Sequence, residues 1–160
     1  MKEIDIDDTL APEGLAVRAK KRRRNGAKLR IALLASDDCK DVLAHFVSRH
    51  RDFFARQELI ATSGTCTAIR AHAELVVASI GHGPEGGDIV LAHAVLVGDV
   101  DAVIFLRSGM EVHAHEDDIS MLLRVCNMTN CVLATNVATA ELVVASLQPL
   151  ISRTALGGAA

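Results

Sequence analysis

The chain alternates two patterns of apolar residues. Five short runs are mostly apolar and lack polar alternation, as expected for strands covered on both faces. These runs span residues 29–35, 59–61, 75–80, 102–106 and 131–134. Between and after them, apolar residues recur every three or four positions, which is typical of helices with one buried face. The predicted helices span about residues 39–49, 66–73, 88–97, 116–126 and 137–147.

Five strands that alternate with five helices predict one fold class. It is α/β: a single-domain, doubly wound, five-stranded parallel sheet with helices on both faces. In such a sheet, the loops that leave the carboxyl ends of the strands open on one edge, and ligands bind in the crevice there. The polar residues of those loops are therefore the candidates for function.

Local signals predict where several helices begin and end. Asp37 or Asp38 is expected to cap the first helix, and Asp88 the helix after the third strand. Pro149 is expected to end the last helix, because proline lacks the backbone N–H that a helix interior uses. His93 lies on or beside an apolar stripe, so a packed histidine is predicted rather than a ligand.

The loop after the third strand, residues 81–88, contains four glycines and one proline. Glycines let bare backbone N–H groups approach an anion, and the following helix presents its positive end to the same place. Asp88 would then hold a carboxylate beside whatever the loop binds. A tight turn closed by a capping aspartate explains the same residues, so other loops must decide between the two.

Two further loops favour an anion. Residues 62–65 bring hydroxyls and backbone N–H groups to a predicted helix start, which suits a phosphate, although a Ser/Thr capping cluster is the alternative. Lys40 lies in the first turn of a helix, where the dipole disfavours a cation, so a bound anion explains it better than helix stability does. With His115 and Asp118 at the same edge, these loops favour one shared phosphate site.

Composition narrows the function classes. Of 160 residues, 50% are hydrophobic, 23% are charged and 2% are aromatic, and the net charge is −3. These values suit one globular domain and give little support for nucleic-acid binding, which uses basic surfaces and stacking aromatic rings. No apolar stretch is long enough to span a bilayer and no signal-peptide pattern is evident, so we expect a cytoplasmic protein without a membrane partner.

The chain divides into three predicted regions. Residues 1–27 form an arm in which an acidic piece precedes the basic run 18–24, and opposite charge blocks with little apolar content predict a flexible, solvated segment. Contact of the basic run with RNA, anionic lipid or an acidic partner is the less favoured alternative. Residues 28–150 form the α/β domain, and residues 151–160 form a flexible tail.

The cysteines and histidines give weak signals for metal binding. Cys39, Cys66, Cys126 and Cys131 show no CxxC spacing, which predicts reduced, mostly buried thiols rather than disulfides or zinc ligands. Segment 113–117 reads His-Ala-His-Glu-Asp, and two histidines with adjacent acids can bind a divalent ion. No third distant ligand is evident, so no metal site is predicted.

Five motifs, in chain order, resemble those of the methylglyoxal synthase family. They are Ala-x-Asp-x-Cys-Lys after the first strand, Ala-Thr-x-x-Thr after the second, Gly-Pro-x-Gly-Gly-Asp after the third, His-x-x-Asp with Leu-Leu-Arg after the fourth, and Ala-Thr-Asn-x-Ala-Thr-Ala after the fifth. The match runs from about residue 31 to residue 147. Each motif alone is weak, whereas five in register are specific.

The resemblance implies a lyase that converts dihydroxyacetone phosphate to methylglyoxal and inorganic phosphate. It also implies that no metal or organic cofactor takes part and that the chain forms homohexamers. By resemblance, Asp88 removes the proton next to the carbonyl, Asp118 is the second catalytic carboxylate, and His115 acts on the oxygens of the enediol intermediate. The residues that the resemblance assigns to substrate or phosphate binding are Ser36, Lys40, Thr62, Ser63, Gly64, Thr65, His82, Gly83 and His115.

Several positions depart from the family pattern. Ser36 stands where the family usually has a histidine, His82 where it has a serine, and Ser108-Gly109 where it has Asp-Pro. The segment 62–66 reads Thr-Ser-Gly-Thr-Cys instead of Thr-Gly-Thr-Thr-Gly. The pocket therefore lacks one histidine, one hydroxyl and one carboxylate, and binding should survive better than rate.

These departures leave a second function open. His82 and His113 are the candidates to replace the absent histidine. If neither does, the alternative is a catalytically weak regulatory module for a small phosphorylated metabolite, similar to the related domain of carbamoyl phosphate synthetase. Release of methylglyoxal from dihydroxyacetone phosphate distinguishes the enzyme from the module.

Overall fold

The computed structural model describes residues 28–82, 86–108 and 116–156, except for the side chains of 116–118 and 149–156. These residues form five strands and six helices. The strands are β1 (Arg30–Ala35), β2 (Glu58–Ala61), β3 (Ala78–Ser79), β4 (Ala102–Leu106) and β5 (Val132–Ala134). The helices are α1 (Lys40–Arg49), α2 (Arg51–Phe54), α3 (Ser63–Ala73), α4 (Gly87–Leu96), α5 (Glu116–Thr129) and α6 (Val137–Leu156).

The strands form one parallel sheet in the order β3-β2-β1-β4-β5, which confirms the predicted fold class. The chain moves outward from β1 through β2 to β3 and then returns to the other side of β1 to form β4. The direction of winding therefore reverses between β1 and β4. In an open α/β sheet, the crevice outside the carboxyl ends of the strands at this reversal is where ligands bind.

Alternate residues of the central strand pack against different helices. Ile31 and Leu33 lie in a cluster with residues of α1, α3 and α6, whereas Ala32 and Leu34 lie in a second cluster with residues of α4 and α5. All four side chains are buried. Burial on both faces explains why β1 shows no polar alternation, and it holds the carboxyl ends of the central strands in fixed positions.

Two predicted helix caps are wrong because other residues take the N-cap positions. Asp37 and Asp38 do not cap α1; they lie in a 3-10 turn (Asp37–Cys39), and Cys39 is the N-cap. Gly86, with φ of 99°, is the N-cap of α4, so Asp88 lies inside the first turn of that helix. Glycine adopts this left-handed conformation without the strain that a side chain would add.

Helix α3 also begins earlier than predicted, at Ser63 instead of Cys66. Thr62 is its N-cap. The predicted loop of hydroxyl residues is therefore a cap followed by the first helical turn. The short helix α2 was not predicted, and it buries Phe53 and Phe54.

Two other predictions from sequence are contradicted. His93 is exposed, because α4 buries Leu91, Ala92 and Val95 instead. Helix α6 does not end at Pro149 but continues to Leu156. A proline removes one intrahelical hydrogen bond and can kink a helix, yet the turns on either side can continue it.

Candidate active site

Lys40 lies over the first turn of α3 and joins the loops that follow β1 and β2. A Cβ atom on Gly64 would stand 2.7 Å from Lys40 Nζ and 3.2 Å from Lys40 Cε, so the absence of a side chain leaves room for the ammonium group. Lys40 Nζ donates a hydrogen bond of 2.5 Å to Asp37. Because the ammonium and the positive end of α3 face the same space, that space favours an anion.

Thr62 is the N-cap residue of α3, but its hydroxyl makes no capping hydrogen bond to the helix. Instead, Thr62 Oγ1 lies 3.2 Å from Oγ1 of the completely buried Thr65. Ser63 Oγ lies 3.0 Å from Ser79 Oγ. The capping alternative therefore does not account for Thr62, and the first turn of α3 keeps the donor-rich character that suits a phosphate.

The glycine-rich loop after β3 folds onto the same helix start. The Ser63 N–H donates to the Gly81 carbonyl at 3.0 Å, and the Gly87 N–H donates to the His82 carbonyl at 2.9 Å. A Cβ atom on Gly87 would stand 2.8 Å from the His82 carbonyl oxygen, which only a backbone shift could relieve. These contacts place the half-buried Asp88 at the end of the loop, in the first turn of α4.

The loops after β1 and β4 are joined through Ser36. The Ser36 N–H donates to the Leu106 carbonyl at 3.0 Å, and the Ser108 N–H donates to Ser36 Oγ at 3.2 Å. The Ser36 hydroxyl in turn donates to Asp38 Oδ1 at 2.6 Å. This hydrogen bond lowers the pKa of the Asp38 carboxyl, and the Ser108 side chain adds to the effect.

The described contacts therefore link four loops along one edge of the sheet. They bring together seven of the residues predicted for substrate or phosphate binding: Ser36, Lys40, Thr62, Ser63, Gly64, Thr65 and His82. His115, Gly83 and His113 lie outside the described residues. Asp118 lies in the first turn of α5, and only its backbone is described.

The structure also shows neighbours that sequence reasoning did not place in the site. Asp37 pairs with Lys40, Asp38 accepts from Ser36, and Ser79 meets Ser63. The position of Asp37 and Asp38 directly after the first strand was the available signal. No sequence pattern around Ser79 indicated that its hydroxyl contacts Ser63.

Two observations bear on other chemistries. Among the side chains that the structure describes, no group of three or more His, Cys, Asp or Glu could hold a metal ion, and segment 113–117 is not among them. Cys66, in α3, is buried, and desolvation raises the pKa of its thiol, which makes it a poor nucleophile.

No helix in the described ranges has the length and apolar character needed to cross a membrane.

Comparison with known proteins decides the family. A methylglyoxal synthase from Cupriavidus metallidurans is 47% identical over 121 residues, which cover 76% of this chain and 86% of the relative. The chain belongs to the methylglyoxal synthase family. No protein-family profile matches it.

Two further comparisons agree with membership of the methylglyoxal synthase family. The methylglyoxal synthase of Carboxydothermus hydrogenoformans is 44% identical over 119 residues, covering 74% of this chain and 98% of the relative. The crystal structure of methylglyoxal synthase from Elizabethkingia anophelis NUHP1 gives a TM-score of 0.70 at 32% identity, covering 73% of this chain and 77% of that one. The resemblance read from the motifs is confirmed, and these relatives support a lyase over the regulatory module.

Proposed function

We propose that this chain is a methylglyoxal synthase that converts dihydroxyacetone phosphate to methylglyoxal and inorganic phosphate at the linked loops. One observation carries the proposal for the site. The Lys40 ammonium group lies against Gly64 in the first turn of α3, next to the glycine-rich loop that leads to Asp88. A phosphate-binding cation and a candidate base thus share one edge of the sheet.

The phosphate of the substrate would lie between Lys40 and the start of α3. There it would meet an ammonium, the backbone N–H groups of a helix start and the hydroxyls of Thr62 and Ser63. Thr65 is fully buried, so its proposed role is to orient the Thr62 hydroxyl. Ser36, His82, Gly83 and His115 complete the proposed set of binding residues. They occupy positions that the family resemblance assigns to binding, although Ser36 and His82 differ from the family in residue type.

In the proposed reaction, Asp88 removes a proton from the carbon that carries the free hydroxyl. The electron pair forms a carbon–carbon double bond, and the carbonyl oxygen gains the charge. His115 and Asp118 are the proposed groups at the oxygens of this enediol intermediate. The free hydroxyl of the enediol then gives up its proton and becomes the aldehyde, and the double bond moves to the carbon that carries the phosphate. The bond between that carbon and the phosphate oxygen breaks, and phosphate leaves with the electron pair of that bond. The resulting enol takes up a proton at the same carbon, and its oxygen becomes the ketone oxygen of methylglyoxal.

No cofactor enters this proposal. Proton transfer and carbon–oxygen bond cleavage account for every atom of the substrate in the two products. The required groups are a base, donors at the developing oxyanion and a cationic cradle for the leaving group. A direct assay for methylglyoxal and phosphate after incubation with dihydroxyacetone phosphate tests the proposal, and a protein that binds this substrate without releasing methylglyoxal would support the regulatory module instead.

A Gly64→Ala variant is expected to weaken binding of inorganic phosphate roughly three- to tenfold, less than removal of the lysine charge would. The new methyl group would stand 2.7 Å from Lys40 Nζ and would displace the ammonium from the start of α3. Stability should not fall, because a flexible side chain can move aside and alanine favours a helix over glycine by up to about 1 kcal/mol. Calorimetric titration and thermal melting check the two parts, and unchanged phosphate affinity would contradict this position for Lys40.

We also propose that the chain assembles into a homo-oligomer, a hexamer by family resemblance. Helix α4 buries Leu91, Ala92 and Val95 against its own domain. Its other side exposes further apolar residues: Ile89 (56%), Val90 (53%), Leu96 (36%) and Val97 (45%). A helix that is apolar on both sides is typical of burial on both sides, so this outer face of α4 suits contact with another copy.

A Val97→Asp variant is expected to give a smaller assembly than the wild type, because it places a charge in the outer face of α4 at the end remote from Asp88. Light scattering with size-exclusion chromatography measures the mass. Leu142→Asp is the control, since Leu142 is an exposed apolar residue on another helix, α6. An unchanged mass for Val97→Asp would rule out this face as the interface.

The proposal keeps the predicted cytoplasmic location. All four cysteines are free thiols, and Cys66 and Cys126 are buried. Free thiols suit a reducing compartment. The proposed partners are the phosphorylated substrate, inorganic phosphate and other copies of the chain, and neither nucleic acid nor a membrane is among them.

A further inference from the structure

The centre of the sheet edge holds a hydrogen-bonded carboxylate to which the proposed mechanism assigns no role. Ser36 directly follows β1, Ser108 follows β4, and the Ser108 N–H donates to Ser36 Oγ at 3.2 Å. Strands β1 and β4 are the neighbours between which the winding of the sheet reverses. The carboxylate bound to this pair, that of Asp38, therefore lies at the ligand crevice of the fold.

Two successive hydrogen bonds join Ser108, Ser36 and Asp38, and Asp38 is the final acceptor. Ser36 Oγ accepts from the Ser108 N–H and donates its own proton to Asp38 Oδ1 at 2.6 Å. This short bond to a carboxylate oxygen has the length of a charge-assisted hydrogen bond. Asp38 is nevertheless exposed, so its carboxylate is held in place and is accessible to a ligand.

The two adjacent acids have different partners. Asp37 pairs with Lys40 Nζ at 2.5 Å and offsets the charge that would meet the phosphate. Asp38 is joined instead to Ser36, on the side of β4. An anionic carboxylate repels a phosphate but accepts a hydrogen bond from a hydroxyl, so Asp38 suits the hydroxyl end of the substrate.

Ser108 lies at the same junction of the loops after β1 and β4. Its backbone is joined to Asp38 through a single hydroxyl, that of Ser36. Residue 108 is itself a serine, so Asp38 is the residue of this hydrogen-bonded group that carries a carboxylate.

We propose that Asp38 binds the free hydroxyl of the three-carbon phosphorylated ketone and that Ser36 and Ser108 position its carboxylate. This inference rests on the proposed function. Asp38 is a substrate-orienting residue that leaves the phosphate to Lys40 and the proton transfer to Asp88. Binding of the hydroxyl would hold the carbon that loses its proton in one orientation.

The test replaces Asp38 with asparagine and measures methylglyoxal formation and phosphate affinity separately. Asp38→Asn should lower kcat/KM for dihydroxyacetone phosphate about 10- to 100-fold, the effect of losing a hydrogen bond to a charged group. Affinity for inorganic phosphate, measured by calorimetry, should be unchanged or tighter. Asp41→Asn is the matched control, because Asp41 is an exposed acid in the first turn of α1, and it should behave like the wild type.

A second variant separates substrate orientation from a structural role. In the double variant Asp38→Ala/Ser108→Asp, a carboxylate is placed on the neighbouring residue that contacts Ser36, and kcat/KM should recover above that of Asp38→Ala alone. A purely structural role for Asp38 in its turn would give no such recovery.

Three results would overturn the inference. They are wild-type kcat/KM in Asp38→Asn, a parallel loss of phosphate affinity in that variant, and no recovery in the double variant. If the wild type forms methylglyoxal and any of these results is found, Asp38 does not bind the substrate hydroxyl, while the proposed function stands. A wild type that forms no methylglyoxal would overturn the proposed function and this inference with it.

Discussion

An Asp88→Asn variant is expected to form methylglyoxal about 10²- to 10⁴-fold more slowly than the wild type, the range typical of losing proton transfer to a positioned side chain. Asparagine has nearly the same shape as aspartate but cannot accept the proton. Asp88 is half-buried in the first turn of α4, and the N-cap residue is Gly86, which the substitution leaves unchanged. Thermal melting and binding of inorganic phosphate should both stay close to those of the wild type.

The control for this variant is Asp99→Asn. Asp99 follows α4, so the same change of charge is made at the other end of that helix, away from the candidate site. Its rate should equal that of the wild type. If Asp88→Asn turned over like the wild type, Asp88 would not be the base, and a large drop in its melting temperature would mean that its effect on rate reflects the fold.

The second large effect is expected for Lys40→Ala, which should weaken phosphate binding by about 1.5–3 kcal/mol, the value of a hydrogen bond to a charged group. The lysine side chain is 31% exposed and its ammonium lies against Gly64, so the variant removes a cation from the start of α3. Calorimetry with inorganic phosphate measures the loss directly. The kcat/KM for dihydroxyacetone phosphate should fall in parallel.

Lys28→Ala provides the matched control for the lysine. Lys28 precedes β1 and therefore lies at the amino edge of the sheet, opposite the candidate site. The two variants change the net charge equally, so general electrostatic attraction of phosphate would affect both. Equal affinities in Lys40→Ala and Lys28→Ala would remove Lys40 from the phosphate site.

The sheet could be predicted from sequence because its central strands, β1 and β4, are buried on both faces. Residues 102–106 were predicted as a strand, and β4 spans Ala102–Leu106 with every residue buried. The buried positions of α5 likewise include Ile119, Leu122 and Cys126, which recur at helical spacing within the predicted helix of residues 116–126. Burial imposes a pattern on the sequence itself, so the parallel fold followed from the pattern.

The helix starts were predicted less well because contacts between loops select them. Residues 63–65 read as a loop of hydroxyls, yet they form the first turn of α3, where the Ser63 N–H donates to the Gly81 carbonyl of another loop. Asp88 was a plausible cap by residue type, but Gly86 takes that position with a left-handed backbone. Residue type alone does not reveal either contact.

For the candidate site, the sequence likewise predicted where the residues lie but not which of them are in contact. The sequence placed Lys40, Gly64 and Asp88 at one edge of the sheet, because loops at the carboxyl ends of parallel strands must meet there. It did not show that Lys40 lies against Gly64, that Ser36 joins Ser108, or that Asp38 is held by that pair. Lys40 and Gly64, like Ser36 and Ser108, are far apart in the chain, and only the folded sheet and helices bring them together. Asp38 is close to Ser36 in the chain but is joined through it to Ser108.

The proposed function requires this chain to eliminate phosphate from dihydroxyacetone phosphate. The most direct test incubates purified wild-type protein, beside Asp88→Asn and a protein-free control, with dihydroxyacetone phosphate and measures methylglyoxal and inorganic phosphate in the same samples. The wild type is expected to release both products in equal amounts, well above the protein-free control, and Asp88→Asn is expected to do so about 10²- to 10⁴-fold more slowly. Wild-type protein that binds the substrate but releases no methylglyoxal above the protein-free control would contradict the proposed function.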